Sequence, residues 1–183
     1  VGHPALGLAL DSFHTLALRD DPRLIVRLPG DRIFYVQLAD APWVNTDVLT
    51  HSRHYRCFPG QGEFEVTRFL RAALDAGYTG TISLEIFNGE FRSSPARANA
   101  VDAMRSLLWL EEQVRRERAA APGAALARPL AVELFDPPPA PELAGWSFIE
   151  FAVDAATAPR LAALLRSLGI ERLGRHRSKD VEL

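Results

Sequence analysis

Three side chains that carry oxygen atoms stand directly after short apolar segments in the sequence: Asp11, Gln37 and Glu85. Short apolar runs of this kind predict buried strands, and the carboxyl ends of parallel strands meet at one rim of a sheet or barrel. Two carboxylates and an amide carbonyl suit Mg²⁺ or Mn²⁺, whereas structural Zn²⁺ prefers Cys and His. The pattern therefore predicts a divalent-metal site at that rim.

A plainer interpretation exists for each residue, because a polar residue after a strand is more often a turn former or a helix cap. It loses weight when three such residues each end a strand of their own. His14 lies three positions after Asp11. An imidazole there could move a proton to or from a metal-bound substrate, although a loop histidine could also cap or pack.

The long loop after the second strand contains Ser52, His54 and Arg56, followed by Cys57 and a Phe-Pro-Gly-Gln-Gly turn. An arginine in this place could pair with a substrate carboxylate through its planar fork of N–H groups. Charged residues in a long loop are otherwise commonly solvated. We expect Cys57 to pack without a chemical role.

The elements that must position these residues alternate between strand and helix. The expected strands cover residues 6–10, 33–36 and 81–84, and the expected connections are an amphipathic segment at 20–28, a helix with Val66, Phe69, Leu70, Ala73 and Leu74 on one face, and a helix from about 94 to 118. This order predicts a parallel sheet. Three units are too few to close an eight-stranded barrel, so we expect the remaining half to precede Val1.

A different composition follows. Residues 119–143 are rich in Ala and Pro, which indicates a linker. Beyond it we expect a strand at 146–153, a helix at 155–168 and a further strand or hairpin at 172–183. The interpretation is a domain at 1–118, a linker at 119–143 and the start of a second module at 144–183.

Composition excludes several classes of function. The net charge of −2 and the dispersed charges give no footprint for nucleic acid or anionic lipid. The single cysteine excludes an internal disulfide framework, and no apolar run approaches the roughly 18 residues of a membrane span. We expect a cytoplasmic protein, of which this chain is an internal piece, with no membrane or nucleic-acid partner.

Four segments together carry a resemblance to a known family: residues 8–14, 36–40, 52–62 and 83–88. They resemble the sugar phosphate isomerase/epimerase-like barrel of bacterial 3-dehydroshikimate dehydratases, in the two-domain form fused to a 4-hydroxyphenylpyruvate dioxygenase-like region. The loop at 52–62 is the most specific of the four. The resemblance implies the C-terminal half of a xylose isomerase-like (β/α)8 TIM barrel, followed by the start of a vicinal-oxygen-chelate α+β module.

The same resemblance implies a lyase that dehydrates 3-dehydroshikimate to protocatechuate with a divalent metal, Mg²⁺ before Mn²⁺ or Co²⁺. It implies the following roles: metal ligands Asp11, Gln37 and Glu85; a proton-transfer residue, His14; and substrate contacts Ser52 and Arg56. A further Glu ligand of the family comes from an earlier strand that is absent here. We therefore expect this piece alone to be inactive, and a homo-oligomer is an open expectation.

In the second module, residues 146–154 are similar to the first strand of vicinal-oxygen-chelate proteins. Phe148 stands where metal-bearing members usually have His, and a phenylalanine cannot coordinate iron. We expect a non-catalytic module or a lost oxygenase activity.

Two alternatives remain open from the residues. The first is a sugar or keto-acid isomerase or epimerase, which would need much the same residues at the rim. The second is a non-catalytic scaffold, whose properties would not change with Mg²⁺ or with an Asp11→Ala substitution.

Overall fold

The computed structural model describes residues 2–123 and 128–183. Its elements are β1 (Leu8–Asp11), α1 (Ser12–Ala17), β2 (Ile33–Leu38), α2 (Val48–His54), α3 (Val66–Asp75), β3 (Ile82–Leu84), α4 (Gly89–Ser93), α5 (Ala96–Ala120) and α6 (Ala158–Ser167), with 3₁₀ turns at Pro22–Arg27 and Gly30–Arg32. The chain divides into two compact units, Val1–Pro138 and Pro139–Leu183. That division falls inside the expected linker, of which residues 124–127 lie outside the described part.

The first unit is built on a three-stranded parallel sheet in the order β1-β2-β3. All three strands were expected from the sequence, within two residues at each end. The expected parallel arrangement is confirmed. Parallel neighbours need a crossover connection, and the segments between these strands supply one each time through helices or 3₁₀ turns.

Helices cover one face of the sheet. Val36 and Leu38 of β2 are fully buried and share a core with Phe69 and Leu70 of α3 and Leu110 of α5. In α3 the buried residues recur every three or four positions, as an amphipathic helix against a sheet requires. The predicted buried stripe of this helix is confirmed.

Two glycines fix how α3 returns to the sheet. Gly77 adopts φ +92° just after the end of α3, a conformation that favours glycine. A Cβ on Gly30 would lie 2.4 Å from the backbone carbon of Gly77, so the two loops can approach this closely only without a side chain. Gly77 therefore marks the end of this helix.

The expectation for the loop at 41–63 was incomplete, because a helix, α2, forms inside it. Asp47 caps that helix and accepts hydrogen bonds from the N–H groups of Leu49 and Thr50. An Asn-Thr-Asp sequence before an apolar pair was the available signal.

The second unit differs from the sequence-based expectation. The expected helix is present as α6, and an isolated antiparallel bridge joins Arg175 to Glu182, in keeping with the expected hairpin. The expected strand at 146–153 is wrong for this chain, since those residues form neither a strand nor a bridge. A strand requires a hydrogen-bonded neighbour, which residue type alone does not supply. Trp146 and Phe148 are largely exposed there.

Across the described residues, no helix is both long enough and apolar enough to cross a lipid bilayer.

Candidate active site

The register of the sheet brings the three predicted ligands to one edge. Asp11 in β1 pairs with Gln37 in β2, and Gln37 pairs with Ser83 in β3. Paired residues in neighbouring strands project from the same face, and Glu85 lies two positions beyond Ser83 on that face. The N–H of Glu85 donates to the carbonyl of Leu38 at 3.0 Å, which extends the pairing past β3.

Arg56 stands between the two carboxylates. Its Nη1 lies 3.1 Å from Asp11 Oδ2 and 2.9 Å from Glu85 Oε2, and it also meets the Glu85 carbonyl oxygen at 3.3 Å. The Arg56 side chain is only 1% exposed, whereas Asp11 and Glu85 are 13% and 32% exposed. Asp11 and Glu85 therefore converge on a single buried cation.

The rest of the guanidinium is held by the protein as well. Arg56 Nε donates to the Ser52 carbonyl oxygen at 3.0 Å, and Nη2 donates to Ser52 Oγ at 2.8 Å. The ring of Phe13 lies 4.6 Å from the guanidinium carbon and that of Phe87 lies 5.3 Å from it, distances typical of cation–π contacts. The aromatic rings exclude water, which strengthens the charged hydrogen bonds.

His14 lies at the rim of this cluster. Its Nε2 is 3.3 Å from Arg56 Nη2 and 3.6 Å from Asp11 Oδ2, and about half of its side chain is exposed. Arg56 can only donate and the Asp11 carboxylate can only accept, so the role of Nε2 follows its tautomer: an unprotonated Nε2 accepts from Arg56 and is the form that can take up a proton. The structure thus brings together Asp11, Glu85, His14, Ser52 and Arg56, with Gln37 in register beside Asp11.

The donor atoms of the site determine which cation it could hold. Among the residues that the structure describes, no three His, Cys, Asp or Glu side chains form a metal-binding group by themselves. Asp11, Gln37 and Glu85 offer oxygen atoms only, which suits Mg²⁺ or Mn²⁺ rather than structural Zn²⁺. These residues would supply part of the coordination shell of such an ion, which would have to bind beside Arg56, because Arg56 Nη1 already contacts Asp11 Oδ2 and Glu85 Oε2.

The helix-cap interpretation of Asp11 also holds. Its Oδ1 accepts from the N–H of Phe13 at 2.8 Å at the start of α1, while Oδ2 faces Arg56. One carboxylate therefore caps α1 through Oδ1 and pairs with Arg56 through Oδ2.

Sequence reasoning missed Asp40. This residue is 2% exposed, and its carboxylate accepts hydrogen bonds from four backbone N–H groups, of Ala41 (2.8 Å), Gly60 (2.9 Å), Gly62 (3.1 Å) and Phe64 (2.9 Å). We call residues 57–64 the glycine loop. The two glycines that follow Arg56 were the available signal, since closely spaced glycines allow the backbone to wrap an acceptor.

The comparisons with known proteins agree with the barrel. The model of the xylose isomerase-like TIM barrel family matches residues 1–113. The 3-dehydroshikimate dehydratase of Pseudomonas putida is 52% identical over 99% of this chain, and that of Pseudomonas aeruginosa is 54% identical over 97%. The chain covers 28% and 27% of the length of these two relatives.

A solved structure described as a xylose isomerase-like TIM barrel/4-hydroxyphenylpyruvate dioxygenase fusion protein is 53% identical, with a TM-score of 0.84. The match covers 99% of this chain and 28% of that one. An inosose isomerase of Bacillus subtilis is 30% identical over half of this chain, and the match covers 32% of the length of that isomerase.

A more distant structure, the IolI protein with a bound zinc atom, is 24% identical with a TM-score of 0.54 and bears on the fold alone. The match covers 63% of this chain and 40% of the IolI chain. The parallel sheet, the polar edge at the ends of its strands and the family match over residues 1–113 lead to one conclusion: the chain belongs to the xylose isomerase-like TIM barrel family.

Proposed function

We propose that this chain supplies part of the active site of a 3-dehydroshikimate dehydratase, a lyase that forms protocatechuate. The observation that carries the proposal is the meeting of Asp11 Oδ2 and Glu85 Oε2 at Arg56 Nη1, at the edge where barrel enzymes hold their chemistry. The identity of 52% to a dehydratase over nearly the whole chain supports the choice of substrate. Since the chain spans 28% of that relative, other segments of the barrel must complete the site.

Asp11, Gln37 and Glu85 are the residues that would hold a divalent cation, with Mg²⁺ as the first choice and Mn²⁺ or Co²⁺ as alternatives. A cation bound there supplies Lewis-acid polarisation of the substrate ketone. The neighbouring Phe13 and Phe87 keep the Arg56 side of the site dry.

His14 is the proposed proton-transfer residue. Its half-exposed ring reaches the rim, and its Nε2 lies 3.3 Å from Arg56 Nη2 and 3.6 Å from Asp11 Oδ2. Once Nε2 exchanges Arg56 for the substrate, its lone pair can take a proton from the substrate carbon. The same nitrogen can return a proton to the departing hydroxyl group. Loss of water then leads to an aromatic ring, which makes the reaction hard to reverse.

Ser52 and Arg56 are the proposed substrate side of the site. Ser52 Oγ accepts from Arg56, which leaves its own hydrogen free to donate to a substrate oxygen. Nε, Nη1 and Nη2 of Arg56 all have protein partners within hydrogen-bond distance, so Arg56 reaches substrate directly only by exchanging one of them. Otherwise it acts by holding the two carboxylates.

For the second unit we propose the beginning of a 4-hydroxyphenylpyruvate dioxygenase-like module at 144–183, by analogy with the fusion protein. A cytoplasmic location, a homo-oligomer and the absence of membrane or nucleic-acid partners belong to the same proposal.

The test is an assay of the full-length protein with 3-dehydroshikimate, with and without a chelator. New ultraviolet absorbance from a catechol acid is expected only with metal. Glu85→Ala should abolish it, and the matched control Glu90→Ala, at an exposed carboxylate in α4, should not. Full turnover by Glu85→Ala would show that the ligand assignment is wrong.

A second candidate is a sugar or keto-acid isomerase or epimerase, which the 30% identity to inosose isomerases favours. Such an enzyme would change a keto sugar or inosose without producing ultraviolet absorbance. The third candidate, a scaffold, would show neither activity nor a heat of Mg²⁺ binding.

A further inference from the structure

The glycine loop overlaps residues 52–62, the segment that carries the family resemblance most specifically. The proposed chemistry nevertheless uses none of the loop's side chains. At its centre lies the buried carboxylate of Asp40, which four backbone N–H groups surround. A carboxylate satisfied in this way stabilises one path of the backbone, because any other path leaves several buried donors without an acceptor.

The loop has no room for a side chain at either of its glycines. A Cβ on Gly62 would lie 2.4 Å from Asp40 Oδ1 and 2.6 Å from the backbone of Ala41. Gly60 adopts φ +85°, and a Cβ there would lie 2.7 Å from the ring of Trp109. The conformation in which the loop wraps Asp40 therefore requires glycine at both positions.

The same loop begins at the residue after Arg56. Asp40 and Cys57 exchange two backbone hydrogen bonds, with the N–H of Asp40 donating over 3.0 Å and that of Cys57 over 2.8 Å. The carbonyl of Arg56 accepts from Asn88 Nδ2 at 3.1 Å. The backbone of Arg56 is thus fixed on one side by Asn88 and on the other by the Asp40 bridge.

We propose that Asp40 is a positioning residue, which fixes the glycine loop and through it places the Arg56 guanidinium between Asp11 and Glu85. This inference rests on the proposed function for its kinetic consequence. Its structural content stands apart from that function, because the four hydrogen bonds and the Cys57 bridge concern only the geometry of Arg56.

The experiment compares full-length wild type with Asp40→Asn, Arg56→Lys and the double variant in assays with 3-dehydroshikimate. Asp40→Asn replaces a carboxylate oxygen with an NH₂ group that meets backbone donors, so the loop must shift. A displacement of about 1 Å at a reacting group lowers kcat by about 100-fold. Since Asp40 acts through Arg56, the double variant should be no slower than Arg56→Lys alone.

Asp47→Asn is the matched control, because Asp47 also accepts two backbone N–H groups but caps α2 at the surface. It should lower thermal stability and keep the wild-type kcat. If Asp40→Asn does not fold, Gly62→Ala perturbs the same carboxylate from the loop side and should give the same pattern. A kcat for the variant equal to that of wild type, or effects that multiply in the double variant, would overturn the role of Asp40.

A second readout needs no turnover. Hydrogen exchange of the Arg56 Nε–H, which donates to Ser52, can be followed by NMR of arginine-labelled protein. Exchange should be at least about tenfold faster in Asp40→Asn and unchanged in Asp47→Asn. Inactive wild type with this exchange pattern would contradict the proposed function alone, and unchanged exchange in Asp40→Asn would contradict the positioning role alone.

Discussion

Replacing Arg56 with methionine should reveal how much the buried cation contributes to stability. In metal-free protein, the change leaves Asp11 and Glu85 without the guanidinium that lies between them and removes two donors from Ser52. Breaking a buried ion pair costs about 3–5 kcal/mol when the remaining charge stays buried. Glu85 is 32% exposed and regains water, so we expect the lower end, about 3 kcal/mol.

Urea denaturation followed by circular dichroism measures this loss. With a slope of about 1–3 kcal/mol per molar, the midpoint should fall by about 1–3 M. The matched control is Arg23→Met, which removes an exposed pair with Asp21 and should leave the midpoint unchanged. Equal midpoints for the two variants would refute the claim that Arg56 is a structural cation.

Three further predictions concern the first unit. Burial, with a contribution from the nearby Asp40 carboxylate, raises the pKa of the Cys57 thiol to about 12. Native protein should therefore resist iodoacetamide at about pH 8–9, where the unfolded chain reacts. The protein should also lose stability as the pH rises from about 9 towards 12, because the thiol of the unfolded chain releases its proton first. Gly77→Ala should cost about 1 kcal/mol in thermal unfolding from strain alone, whereas Gly89→Ala, equally uncrowded and without positive φ, should cost nothing. Phe69→Ala, at a fully buried position, should cost about 3–5 kcal/mol in urea denaturation.

The arrangement of elements in the first unit was predictable because its signals are local. The apolar runs at 33–36 and 81–84 and the stripe of α3 have the periods of a buried strand and an amphipathic helix. The failure at 146–153 has the opposite cause. Residues that favour a strand cannot form one without a neighbouring backbone, and the described chain places none beside them.

The candidate site divides in the same way. The residue types Asp11, Gln37 and Glu85 at strand ends already indicate an oxygen-rich edge, since parallel strands carry their carboxyl ends to one side. Their sequence positions do not show which positively charged group neutralises the two carboxylates. Arg56, which the resemblance predicts to contact substrate, is buried and turned towards the two carboxylates.

By itself the sequence determined the strand order along the chain, the helix faces and the polar ends of the strands, because each depends on residues close in sequence. Only the tertiary structure decided that Arg56 joins Asp11 to Glu85 across 45 and 29 positions, and that Asp40 gathers the N–H groups of a loop some 20 positions away. Contacts of that span depend on how the elements pack, and no local period encodes the packing.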